Sequence, residues 1–87
     1  MGNSAYSLST SRSNVEVIGD KDGVNDTFTL PFGEKYIAAS LMVHLNGNLY
    51  QPASILTSSP YTSFQIVNGE TLPASTDIIT ATYAVMG

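Results

Sequence analysis

Few side chains in this sequence are equipped for chemistry. Asp20, Asp22 and Asp26 crowd one short segment around Gly23, and clustered carboxylates can supply the hard oxygen ligands that calcium prefers. The spacing lacks the full calcium-loop pattern and its closing Glu, so a plain acidic turn is preferred and calcium stays a weak candidate. His44 is the only histidine and there is no cysteine. A dedicated zinc site therefore lacks ligands, and His44 is expected on a surface or interface face of a strand. Serines and aspartates abound, but no Gly-x-Ser-x-Gly nucleophile elbow occurs. No catalytic residue and no cofactor is predicted. Of the five tyrosines, Tyr50 and Tyr83 are expected inward. Tyr36 and Tyr61 fall in or beside loops, where exposed rings can stack on sugars.

The elements that must position these residues are short strands. Asn14–Ile18 alternates and is β-branched; Asp26–Leu30 alternates with Phe28 and Leu30 inward. Asn46-Gly47 between Leu41–Leu45 and Asn48–Tyr50 is a strong hairpin cue, with Gly47-Asn48 as the alternative turn. In either register Val43, Leu45 and Tyr50 share the core face, and Met42 and His44 the opposite one. Glu34–Ser40 is expected as a loop or one short helical turn. Pro52–Pro60 is expected as a loop plugged by Ile55 and Leu56. Phe64 and Ile66 point inward from a strand within Tyr61–Val67. Ile79, Ala81, Tyr83 and Val85 point inward from Ile78–Met86. Five or six strands with frequent turns predict an all-β fold: a small antiparallel β-sandwich or partly open β-barrel. Residues 1–13 are polar apart from Tyr6 and Leu8 and predict an extended N-terminal arm, leaving 14–87 as a single β-domain.

Composition narrows the partners. The chain has 87 residues, three basic side chains and a net charge of −4. That leaves too few cations to displace counterions from nucleic acid or to hold an anionic membrane. Neither a signal peptide nor a bilayer-spanning apolar run is apparent. Only 11% of residues are charged, so the surface rests on Ser, Thr, Asn and Gln, which lose water more cheaply than Lys and Glu. A domain this small has a thin core and no disulfide to reinforce it. Association into a closed homo-oligomer, such as a trimer, is expected. Tyr6 and Leu8 on the arm, with Met42, His44, Tyr36 and Tyr61 on the domain, are the candidate interaction residues.

Three segments together resemble a small β-domain that recurs in bacteriophage virion proteins. They are Asp22-Gly23-Val24-Asn25-Asp26-Thr27-Phe28-Thr29-Leu30-Pro31, then Leu41-Met42-Val43-His44-Leu45-Asn46-Gly47 completed by Pro52, and Leu72-Pro73 with Asp77–Tyr83. The resemblance runs from about Asp22 to Val85. It departs after Pro52, where Ala53-Ser54-Ile55-Leu56 and a Ser-rich stretch stand in place of the usual Gly, Asp and Tyr. The resemblance implies a non-enzymatic structural protein located in the virion and made in the host cytoplasm. It would serve as a capsid decoration or cement subunit, or as a head- or tail-associated fibre subunit. Its partners would be further copies of itself and other virion proteins such as the major capsid protein. A glycan- or receptor-binding module of a phage fibre is the alternative.

Overall fold

The computed structural model describes residues 10–86. Seven strands form two antiparallel sheets: β1 (Ser11–Glu16), β2 (Thr27–Thr29), β3 (Met42–Leu45), β4 (Asn48–Leu49), β5 (Ile55–Thr57), β6 (Ser63–Ile66) and β7 (Ile79–Ala84). One sheet has the order β1-β7-β3-β4, the other β2-β6-β5. Three short 3-10 turns, Pro31–Gly33, Ala38–Ser40 and Pro52–Ser54, connect them. The expected all-β class is what is found.

The core lies between the sheets. Val43, Ile79, Ala81 and Tyr83 enter it from the four-stranded sheet; Phe28, Phe64 and Ile66 enter from the three-stranded one. The strict alternation of β7, buried at Ile79, Ala81 and Tyr83 and partly exposed between them, follows from the two-residue side-chain period of a strand. The sheets meet at a corner where Ile18 and Thr29 exchange two backbone hydrogen bonds of 2.8 Å. That contact covers the free edge of β2, which would otherwise offer unpaired backbone groups.

Strand β1 begins at Ser11, three residues before the expected Asn14, so residues 11–13 belong to the sheet and not to an arm. Its register explains why the sequence hid it. Arg12 pairs with Tyr83 and Val15 with Ala81, with a bulge between them. Two residues, Ser13 and Asn14, thus stand opposite Thr82 alone. The extra residue puts Arg12 and Val15 on the same side of the strand despite their odd spacing. Asn14 takes φ 51°, and its N–H donates to Thr82 Oγ1 at 3.0 Å. Pro52–Pro60, expected as a loop, instead holds a 3-10 turn and strand β5, which pairs with β6, and Leu56 is a further correction. It lies in β5 and is 52% exposed, while its neighbour Ile55 packs on the core. Adjacent residues of a strand face opposite ways, so only one of the two can plug the core.

The hairpin turn forms at Asn46-Gly47, with φ of 52° and 85° as a type I′ turn requires. Asn46 also ties the turn to the start of β7. Its N–H donates to the Ile78 carbonyl at 2.7 Å, its Oδ1 accepts from the Ile78 N–H at 2.8 Å, and its Nδ2 donates to Asp77 Oδ1 at 3.0 Å. Asn46→Ala places a Cβ-bearing residue at positive φ without these amide bonds, and is expected to destabilise the fold by about 2 kcal/mol. Urea unfolding should show a lower midpoint at unchanged slope. Asn46→Gly restores the backbone freedom alone and should recover part of the loss.

Candidate functional site

The outward face of the four-stranded sheet is built by the residues that alternate with the core. In register, Leu49 stands beside His44, His44 beside Thr80, and Thr80 beside Glu16; the next row sets Met42 against Thr82. Ile78 continues the outward series of β7 below Thr80. Met42 is 46% exposed, Leu49 51% and Ile78 54%, and together they surround His44. A shallow depression of ≈ 550 Å³ opens here, lined by Asn14, His44, Asn46, Gly47, Ile78 and Thr80. Within the strands of this face, Glu16 is the one charged residue pointing outward. The imidazole of His44 is half-buried, and its Nδ1 is sealed from solvent with no hydrogen-bond partner among the described residues.

Met42 and His44 therefore come together as expected. Tyr36 does not join them. It is fully buried, its N–H donates to the Tyr61 carbonyl at 2.9 Å, and its hydroxyl donates to the Ser63 carbonyl at 2.6 Å. Through its bridge to Val85 it stitches the two sheets together. A phenol suits that place because the ring fills the core while the hydroxyl satisfies a strand carbonyl. Burial raises its pKa above 10.0. Tyr61 is half-buried with its ring edge-on to Tyr36 at 5.8 Å, so neither tyrosine forms an open stacking platform. Tyr6 and Leu8 lie outside the described residues.

The acidic turn does not form a cation cradle. Asp22 Oδ1 accepts the N–H groups of Val24 and Asn25 at 2.9 and 2.7 Å. Asp26 accepts Thr27 Oγ1 and Gln65 Nε2, both at 2.9 Å. Asn25 Nδ2 donates to the carbonyls of Asp20 and Thr27. Among the described residues no three His, Cys, Asp or Glu side chains converge as metal ligands. Of the carboxylates that suggested calcium, Asp22 holds the turn shape and Asp26 ties it to Thr27 and to Gln65 of β6.

One polar cluster had no signature in the sequence. The Arg12 guanidinium spans both oxygens of Glu34, with Nε 3.1 Å from Oε1 and 3.0 Å from Oε2. Tyr83 donates its hydroxyl to Glu34 Oε1 at 2.7 Å, and Arg12 rests over the Phe32 ring at 5.1 Å. The Arg12 hydrogen bonds hold the Glu34 carboxyl below its ordinary 4.5, with Tyr83 adding to the effect. Burial, followed by the bond to Glu34, pushes the Tyr83 phenol up to about 12. The three groups satisfy one another and clasp β1 to the turn after β2.

No family model matches this chain, and neither a curated protein nor a solved structure matches it. Among the described residues, no helix is long and apolar enough to cross a membrane. The outward sheet face around His44 sets exposed apolar side chains beside threonine hydroxyls and a single strand carboxylate. Leu49, Ile78, Asn14 and Thr80 belong to it without having been singled out in the sequence. The signal available for Ile78 and Thr80 was their place in the outward series of the last strand.

Proposed function

We propose that this chain is a non-catalytic structural subunit of a bacteriophage particle, a decoration, cement or fibre-associated protein that acts by self-association and docking. The observation that carries the reading is the outward face of the four-stranded sheet. Met42, Leu49 and Ile78 are all exposed on that face around His44, set among the hydroxyls of Thr80 and Thr82 with Glu16 as the single outward charge of its strands. Covering apolar and hydroxyl-bearing surface removes little hydration and leaves few charges to compensate. The likeness of Asp22 to Val85 to a virion β-domain supplies the setting. A net charge of −4 over 87 residues disfavours nucleic acid as the surface being docked upon. Further copies of the chain are the occupants proposed for the face, in a closed homo-oligomer attached to other virion proteins.

Sedimentation velocity over a range of concentrations tests this. The native chain should sediment as an oligomer, and Leu49→Asp combined with Ile78→Asp should sediment as a monomer with an unchanged far-UV spectrum. The protein should also co-purify with particles. A monomer at every concentration, together with absence from purified particles, rejects the proposal.

A further inference from the structure

A second concavity, of ≈ 320 Å³, lies between the β3–β4 hairpin and the segment Glu70-Thr71. Its volume is at the lower end of the ~300–1,000 Å³ typical of small-molecule sites. Its walls are fixed by bonds that need no ligand. Ser54 is buried and donates its hydroxyl to Glu70 Oε2 at 2.8 Å. Tyr50 donates its hydroxyl to the Thr71 carbonyl at 2.6 Å. The Tyr50 N–H donates to the Val43 carbonyl at 2.9 Å, and the Ser54 N–H to the Gln51 carbonyl at 2.8 Å. Both sides of the concavity are therefore held in place before anything binds, which removes an ordering cost from binding.

The groups left over are of one chemical kind. The side-chain amides of Asn48 and Gln51 line the concavity without a hydrogen-bond partner among the described residues, and Glu70 Oε1 is in the same position. Each amide offers donors and an acceptor, and the carboxylate offers an acceptor. Leu49 and Tyr50 add apolar wall. No Lys, Arg or His lines it, so a phosphate, sulfate or carboxylate ligand would meet Glu70 with no cation to offset the repulsion. A hydroxyl-bearing ring with an apolar C–H face matches this set.

We infer that the concavity between the β3–β4 hairpin and Glu70-Thr71 binds a neutral, hydroxyl-rich ligand of monosaccharide size, with Asn48, Gln51 and Glu70 bonding its hydroxyls and Leu49 packing on its C–H face. This site borders the interface proposed above and shares Leu49 with it, but it turns on Asn48, Gln51 and Glu70, which that interface does not use, so either can fail without the other. Backbone amide shifts of the full-length protein should be followed during titration with methyl glycosides of glucose, galactose, mannose and N-acetylglucosamine, with sialic acid as the anionic arm.

At least one neutral glycoside should shift the amides of Asn48, Gln51, Glu70 and Thr71 in a saturable way, and sialic acid should leave them unmoved. Asn48→Ala and Gln51→Ala change exposed residues and should each weaken binding about tenfold. Glu70→Gln, which retains an acceptor for Ser54, separates the carboxylate from the fold. The inference is overturned by the absence of any saturable shift at these four amides. It is also overturned by equal binding of sialic acid, or by an affinity unchanged in both amide variants.

Discussion

Replacing Phe28 with alanine should destabilise the domain by about 3–5 kcal/mol, enough to leave much of it unfolded at physiological temperature. Phe28 is fully buried and stacks on Phe64 with ring centroids 6.2 Å apart. On its other side lies the backbone of Gly19, so close that a Cβ there would sit 2.5 Å from Phe28 Cδ2. The cavity left by the ring would thus be bounded by main chain already held at the Ile18–Thr29 corner. Such a wall relaxes less than a side chain, and an uncollapsed void is the costly kind. The net stability of a small domain is only roughly 5–15 kcal/mol. Chemical denaturation followed by far-UV circular dichroism measures the loss, and Phe28→Leu, which retains most of the volume, should cost far less. An alanine variant within 1 kcal/mol of the native protein, on the scale of an ordinary surface change, would mean that the two sheets do not close over this ring.

Acid should unfold the protein steeply, beginning below the ordinary range of its carboxyl groups. Four carboxylates are held below their usual values in the fold. Glu34 is held by Arg12 and then Tyr83; Asp22 by the backbone N–H groups of Asn25 and Val24. Asp26 is held by Gln65 and Thr27, and Asp77 by the Ala74 N–H and Asn46. A carboxyl with a lowered folded-state pKa stabilises the fold fully above its unfolded value. That contribution is lost as pH falls through the folded value, because the unfolded chain then binds the proton more readily. The melting temperature should accordingly be flat down to about pH 5 and fall progressively below the ordinary values of 4.5 for Glu34 and 3.8 for the aspartates. Glu34→Gln should melt lower than the native protein at neutral pH and show a shallower acid slope. Its position at the clasp of β1 makes it the most consequential of the four.

The opposite sign applies at Tyr83. Its folded pKa is raised from 10.0 to about 12, so its contribution is intact below the unfolded value and disappears as pH climbs between the two. A melting temperature independent of pH between 5 and 2.5 would show that these bonds are absent in solution.

These predictions rest on features that differ in how far the sequence reveals them. Alternation alone placed Phe28, Val43, Phe64, Ile66, Ile79, Ala81 and Tyr83 in the core, because a strand with one covered face must repeat every two residues. Asn46-Gly47 was legible as a turn for an equally local reason, since few residue pairs accept positive φ in succession. The outward position of Met42 and His44 followed from the same parity.

Tertiary structure decided what depends on partners distant in the chain. The start of β1 was hidden because its bulge breaks the two-residue period and because Arg12 occupies an inward place that polarity argued against. The Arg12–Glu34–Tyr83 clasp joins residues 22 and 49 positions apart, and no spacing rule connects them. Tyr36 looked like a residue of a loop or short helical turn, yet its segment runs between the sheets and its hydroxyl finds the Ser63 carbonyl. Asp22 and Asp26 drew attention as neighbours in sequence, but backbone N–H groups and Gln65 engage them separately. Local periodicity determines which face of a strand meets the core. Which faces and loops then meet one another is settled only when the sheets close, for that is when hydrogen-bond partners far apart in sequence come within reach.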